Sequence, residues 1–219
     1  MHFEKIHNKG QARLFQSQYM EMLTKTNPIV IWCMYIPIMG FMLYKGFNNV
    51  EISALKVSSI FVGGMLFWTL FEYIMHRFAF HHLAESQRAK KFVYIIHGNH
   101  HEYPRDKERL FMPPVPSLII TAVLFSLYYL IMGNYALFFF PGFVLGYLLY
   151  GSMHYAIHAW NPPYPWMKPL WRNHHLHHYK NDHQGFGVST TLWDRVFGTM
   201  FDLKKEKEDK EKVRELMHN

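Results

Sequence analysis

The sequence predicts an all-α integral membrane protein, with four transmembrane helices in two hairpins and a cytosolic helical cap. Three observations lead there. Half of the 219 residues are hydrophobic and 18% are aromatic, a heavy apolar load for a single domain. That load is gathered into four blocks, residues 29–44, 55–74, 115–132 and 135–150, each near the roughly 17 to 25 residues that cross a bilayer. None of the blocks contains Asp, Arg or His, and the second admits only Lys56 at its start and Glu72 at its end. Charges are placed this way when a charge at the bilayer centre costs about 2.5 to 3.5 kcal/mol. A soluble chain of this length could hardly cover four helices that are apolar all round.

Taken in order, residues 1–27 form a leader. It carries charges throughout and lacks a continuous apolar run, so it does not read as a cleavable signal peptide. Phe3, Leu14, Phe15, Tyr19, Met20 and Leu23 offer a rough apolar face for an interfacial helix, and a solvated leader is the alternative. The membrane domain follows over 28–203. Its first block holds Cys33, the sole cysteine, which excludes a disulfide or a four-cysteine cluster within these residues. Segments 75–114 and 151–203 make the cap. The run KKEKEDKEK in 204–219 cannot bury itself and reads as a charged, solvated tail.

Charge placement sets the topology. Of 23 Lys and Arg, four precede the first block, seven lie between His76 and Pro114, and ten follow Trp160. Only Lys45 and Lys56 sit near the link between blocks one and two, and the Gly133-Asn134 link between blocks three and four carries none. Lys and Arg in short flanking segments prefer the cytoplasmic side, which puts both termini and the cap in the cytosol. The net charge of +7 fits a surface facing the membrane, and no nucleic-acid motif accompanies it.

The 16 histidines avoid the apolar blocks. Twelve fall into four groups at or beyond the cytosolic ends of the blocks: His76, His81 and His82; His97, His100 and His101; His154 and His158; and His174, His175, His177 and His178. Side chains three or four residues apart share a helix face, so His97, His100 and His101 form one set and His174, His177 and His178 another. His154 and His158 are spaced likewise, on what reads as a helical extension of the fourth block. His175 points away from its set. His76 and His81 are five apart, about 140° on a regular helix, so the helix must bend or end between them, and periodicity does not choose between His81 and His82. One such group alone would read as ordinary surface or core histidine. Four on one face of the membrane point to metal, and their number suits two ions better than one. A pH sensor would pack imidazoles that repel on protonation, a conflict that metal binding removes by taking their lone pairs.

Around these histidines the chain reads H-R-F-A-F-H (76–81), H-G-N-H-H-E-Y-P-R-D-K-E-R-L-F-M-P-P (97–114), H-Y-A-I-H (154–158), H-H-L-H-H (174–178) and F-G-V-S-T-T-L-W-D-R-V-F-G-T (186–199). With these motifs, residues 60–202 resemble the fatty acid hydroxylase superfamily of membrane di-iron oxygenases, and within it the fatty acid 2-hydroxylases. The resemblance implies that His76, His81, His97, His100, His101, His154, His158, His174, His177 and His178 ligate two metals, which selects His81 over His82. It implies a cap that holds a histidine-rich dimetal site. It also implies oxygen-dependent hydroxylation at carbon 2 of a fatty acid or of the N-acyl chain of a sphingolipid. Such chemistry needs redox-active metal, so two iron ions are expected, with zinc able to replace them in purified protein, and dioxygen as co-substrate. The dimetal centre itself is the catalytic group, with no separate acid or base.

Electrons are expected from a separate cytochrome- or ferredoxin-type protein, since a short leader precedes the first block and no His-Pro-Gly-Gly haem signature occurs. The chain departs from the resemblance at Gly151, where the family tends to carry an acidic residue. Histidine boxes also fit sterol or carotenoid hydroxylases and desaturases, which differ in the shape of a lipid cavity. A non-catalytic metal-binding or transport protein would call for ionisable residues along the spans, and these blocks have almost none. The expected location is a bacterial inner membrane or the endoplasmic reticulum.

Overall fold

A computed structural model describes residues 6–81, 86–202 and Arg214. All regular structure among them is helical. Three helical runs are long and apolar enough to cross a membrane: Pro28–Asn49, Ala54–Phe80 and Lys107–Ala159.

The first run is α2 (Pro28–Asn49), which follows the short α1 (Gln18–Met22) of the leader. Asn27 caps α2, its side chain accepting from the Ile29 N–H, and Pro28 sits where a missing N–H costs nothing. Ser53 caps α3 (Ala54–Ile74) in the same way, accepting from the Lys56 N–H. The third run holds α6 (Pro114–Met132) and α7 (Ala136–Ala159), joined by a 3-10 turn over Gly133–Tyr135. Gly133 makes that reversal with φ 57°, a region open to glycine at no steric cost. The α7 helix continues past residue 150 to Ala159, and so carries His154 and His158 as a helical extension of the fourth apolar block.

The centre of the bundle is α7. Its Phe140, Phe143, Val144 and Leu148 form one buried cluster with Ile31 and Tyr35 of α2. Against α3 the contact is backbone to backbone. A Cβ on Gly142 would lie 1.9 Å from the Phe61 carbonyl oxygen, and one on Gly64 would lie 2.1 Å from that of Phe139. Small residues let apolar helices approach this closely, where dispersion contacts do the work that water exclusion does elsewhere. Phe125 and Tyr128 of α6 pack on Phe140 and Phe139 of α7, folding the third run back on itself. Polar links also join the apolar helices: the Tyr35 hydroxyl lies 2.7 Å from both Ser117 Oγ and Thr121 Oγ1, tying α2 to α6, and Trp32 Nε1 donates to Ser152 Oγ of α7 (3.0 Å).

The cap contains α4 (Gln87–Val93), α5 (Asn99–Glu102), α8 (Lys168–Tyr179) and α9 (Leu192–Val196). The leader lies along it as a largely irregular strap. The His7 N–H donates to the Glu102 carbonyl (2.7 Å), the Thr26 N–H to the Glu108 carbonyl (2.8 Å), and Gln11 Nε2 to Asp106 Oδ1 (2.9 Å). Arg109 binds Asp106 (2.6 Å) and Glu21. Residues 6–26 are therefore tied at these points to the loop after the second histidine group. Phe3 and, apart from Arg214, the 204–219 tail lie outside the described residues.

Candidate metal centre

All ten histidines singled out above converge, in two groups of five. His76, His81, His97, His101 and His177 form one group, and His100, His154, His158, His174 and His178 the other. Within each group every residue offers a ring nitrogen, and these nitrogens lie within 4.8 Å of one another. The competing His82 lies outside the described residues.

Local backbone explains how the first group meets. Residues Met75–Phe80 form a π-helix that extends α3, and the His81 N–H donates to the His76 carbonyl (3.3 Å). The helix ends between these two, at Phe80, as their spacing requires, and it does so through a widened turn. In a π turn the hydrogen bond spans five residues, so a spacing that diverges on an α-helix stacks instead. A second π-helix, Tyr94–Gly98, holds His97. Asn99 braces it, its side-chain Nδ2 donating to the carbonyls of Tyr94 (3.0 Å) and Ile95 (2.8 Å).

The two runs read as single faces are shared between the groups. His97 and His101 go to one group and His100 to the other, and His177 goes to one while His174 and His178 go to the other. The i, i+4 pairs stay together, and the i+3 member reaches across. His175 belongs to neither group. It is buried near His158, with ring centroids 6.2 Å apart, and burial with the Arg105 guanidinium pushes its pKa down to about 4. His183 is exposed and lies apart.

Nitrogen geometry tests the fit to metal. His97 Nε2 lies 3.1 Å from His76 Nε2, 3.2 Å from His81 Nε2 and 3.0 Å from His101 Nε2. In the second group His158 Nε2 is 3.2 Å from His154 Nε2 and 2.9 Å from His174 Nε2, which is 3.1 Å from His178 Nε2. A neutral imidazole nitrogen has one hydrogen or one lone pair, so three such contacts at His97 cannot all be hydrogen bonds. Two nitrogens about 2.1 Å from one ion and at right angles around it lie about 3.0 Å apart, which matches these separations. His100 Nε2 and His177 Nε2 are buried with no hydrogen-bond partner among the described residues. The residues fit a pair of metal ions.

The outer ring nitrogens and the electrostatics agree. His76 Nδ1 lies 2.6 Å from the Phe186 carbonyl and His177 Nδ1 lies 2.7 Å from that of Gln184. A carbonyl only accepts, so each Nδ1 carries the hydrogen and Nε2 turns its lone pair inward. His81 Nδ1 faces the Asp182 carboxylate at 3.7 Å. Burial, and after it the repulsion of neighbouring imidazoles, holds His97, His100, His101, His174, His177 and His178 well below the usual imidazole range. They are neutral and ready to ligate at physiological pH.

Two buried carboxylates outside the histidine motifs complete the site. Asp194 accepts from the N–H groups of Phe186 and Gly187 (2.9 Å each), from Thr199 Oγ1 (2.7 Å) and from Asn173 Nδ2 (3.0 Å). Burial raises its pKa, against the pull of those hydrogen bonds. Glu72, at the end of α3, accepts from the N–H groups of Val188 (3.3 Å) and Ser189 (2.8 Å), from Ser189 Oγ (2.5 Å) and from Trp68 Nε1 (3.1 Å). Four consecutive amides are thus gathered by two carboxylates, and that loop presents the Phe186 carbonyl to His76. The histidine motifs do not reveal either residue. The sequence signals are Glu72 itself, a lone carboxylate closing an apolar block, and the 186–199 motif, which contains Asp194.

Long apolar helices ending in two nests of five imidazoles define a class: helical membrane proteins whose histidines are arranged for a pair of metal ions. The sequence pattern of the fatty acid hydroxylase family matches residues 61–199. The chain is 35% identical over 193 residues to the dihydroceramide fatty acyl 2-hydroxylase FAH2 of Arabidopsis thaliana, covering 88% of this chain and 81% of that one. With the ceramide very long chain fatty acid hydroxylase SCS7 of Saccharomyces cerevisiae it shares 37% identity over 203 residues, 91% of this chain and 52% of that one. With the fatty acid 2-hydroxylase of Homo sapiens it shares 33% over 212 residues, 86% of this chain and 56% of that one. The chain therefore spans about half the length of the yeast and human relatives and most of the plant one. A solved structure of full-length Scs7p, in which only the hydroxylase domain is visible, superposes with a TM-score of 0.78 at 36% identity, over 84% of this chain and 70% of that one. The chain belongs to the fatty acid hydroxylase family.

Proposed function

We infer that this protein hydroxylates carbon 2 of a fatty acyl chain, as a free acid or as the N-acyl chain of a sphingolipid, at a dimetal centre held by the ten histidines. The observation that carries the reading is the division of the ten imidazoles into two five-nitrogen pockets in a chain similar over most of its length to acyl 2-hydroxylases. An unactivated C–H bond offers no acidic proton to a base. When bound, a redox-active metal pair supplies the activation of dioxygen that such a bond requires. Iron suits this role and an all-imidazole ligand set, whereas zinc binds similar ligands without redox chemistry.

The chain's own residues do the rest. Buried neutral imidazoles keep their lone pairs free for metal. The carbonyls of Phe186 and Gln184 fix two of the rings. Phe186 lies against His76, His81 and His177, with centroids 5.5 to 5.7 Å apart, and keeps water from that side. The reaction converts C–H to C–OH with one oxygen atom of dioxygen and reduces the other to water with two electrons and two protons. We assign the electrons to a separate cytochrome- or ferredoxin-type donor reaching the cap from the aqueous side. An iron–sulfur relay held by four cysteines cannot lie within these 219 residues, whose only cysteine is Cys33. We read α2, α3, α6 and α7 as four crossings in two hairpins, with termini and cap in the cytosol, supported by the distribution of Lys and Arg.

Lipid mass spectrometry of a host expressing the chain tests the substrate: acyl groups gain one oxygen at carbon 2. Hydroxylated sterols or carotenoids in their place would move the protein to another branch of histidine-box chemistry. Metal analysis of anaerobically purified protein is expected to give about two irons per chain, one for each pocket. Active protein free of iron would reject the assignment.

A further inference from the structure

We propose that an apolar groove between α3 and α7 holds one acyl chain of a membrane lipid, on the side of α7 turned away from the histidines. The groove has a volume of about 690 Å³. Met65, Leu66 and Thr69 of α3 form one wall, and Leu149, Met153 and Ala156 of α7 the other. It starts at Gly146, where the two helices touch so closely that a Cβ would lie 2.4 Å from Trp68 Cβ. From there it runs toward the cap, where Trp160, Met167 and Trp171 line the upper end.

Helix periodicity separates this groove from the metal pockets. Leu149, Met153 and Ala156 recur every three or four residues and share a face of α7. His154 is about 100° from Met153 and His158 about 200° from Ala156, on the far side of the same helix. A chain lying in the groove is held away from the histidines, so the site is distinct from the one at which the acyl chain reacts.

Three observations commit the groove to lipid. Its walls belong to the runs read above as membrane spans, and Leu66 and Leu149 are 58% and 47% exposed, so the groove is continuous with the surface that meets hydrocarbon. From Gly146 to the end of α7 at Ala159 the helix rises about 20 Å, enough for the ~15 Å of one hydrocarbon leaflet and part of the headgroup layer. At the upper end the chain turns aromatic: the rings of Tyr164 and Trp166 stack at 6.2 Å and both are exposed, as is Trp160. Exposed Trp and Tyr with a polar edge mark the headgroup level, and Asn161 lines the groove there as a polar contact for a headgroup.

The inference rests on the membrane reading and not on the reaction, so it is tested without turnover. The full chain is reconstituted in phosphatidylcholine vesicles containing a lipid with a photoactivatable diazirine midway along one acyl chain, then illuminated, and labelled peptides are mapped. The expected label concentrates on Leu149 to Ala156, above that on Ile119 and Val123, exposed residues of α6 in its cap-proximal half. Ala156→Trp, and separately Leu149→Trp, lowers groove labelling about tenfold, the change produced by about 1.4 kcal/mol of lost affinity, while α6 labelling holds. Uniform label over all apolar faces overturns the proposal, as does labelled α6 beside an unlabelled groove, the result expected if a second copy covers it. Label on none of the helices overturns the membrane reading as well. Failure to find a 2-hydroxylated lipid in the host would leave this outcome unaffected.

Discussion

At the scale of single residues, His175 and His177 separate two meanings of a buried histidine. His177 points Nε2 into a pocket and is fixed through Nδ1 by the Gln184 carbonyl, while His175 belongs to neither pocket. His177→Ala is expected to abolish turnover and to weaken metal retention by more than the roughly 10- to 100-fold that loss of a supporting partner costs. His175→Ala is expected to keep the metal content of the unaltered protein, measured by elemental analysis after gel filtration. Glu72 makes the converse case, since it touches no pocket and yet holds the Val188 and Ser189 amides. Glu72→Gln presents an amide NH2 to donors that need an acceptor, costing about 1 to 3 kcal/mol for a buried group left unsatisfied. A lower unfolding temperature together with about tenfold weaker metal retention is expected, and unchanged metal retention would confine Glu72 to packing. The histidines were legible because ligating side chains must repeat at helical spacing. Glu72 was not, since it acts on a loop more than a hundred positions away and no local period records such a contact; Asp194 stands inside the 186–199 motif, but no spacing there marks its role.

At the scale of elements, the apolar helices could be read from the sequence nearly to their ends, because a bilayer-length hydrophobic run has few other uses. The π-helix at Met75–Phe80 could not. An i+5 pair is ambiguous between a break and a widened turn, and the choice is made by what both imidazoles must reach. Glycine at the α3 and α7 contact shows the same dependence on partners. Gly63 and Gly64 are neighbours, yet a Cβ on Gly63 meets nothing within 4 Å, while one on Gly64 would strike the Phe139 carbonyl. Gly63→Ala is expected to leave thermal stability in detergent unchanged or slightly raised. Gly64→Ala or Gly142→Ala is expected to cost about 3 kcal/mol or more, the upper end of overpacking penalties, because backbone must move to admit the methyl. Gly151 is explained in the same terms: a Cβ there would lie 2.3 Å from the Phe111 ring, so an acidic side chain at this position needs that ring elsewhere.

At the scale of the whole molecule, apolar blocks and charge placement in the sequence led to an all-helical architecture with its histidines at one end, and family membership agrees with it. The division of labour between the two pockets was hidden, since α5 and α8 each read as one coherent face. That division has a consequence for assembly. Each of these short helices is a yoke that brings histidines to both pockets, so an ion in one pocket would restrain the side chains that line the other. Loading of the two pockets is therefore expected to be linked, because an ion held in one restrains helices that also serve the other. Native mass spectrometry during titration of metal-free protein is expected to show empty and doubly loaded chains, with the singly loaded species below the share that independent sites would give. His100→Ala, which removes a ligand from one pocket only, is expected to weaken loading of both. The protein would then have no stable half-built state, and metal supply in the cell would act on it as a switch between two forms.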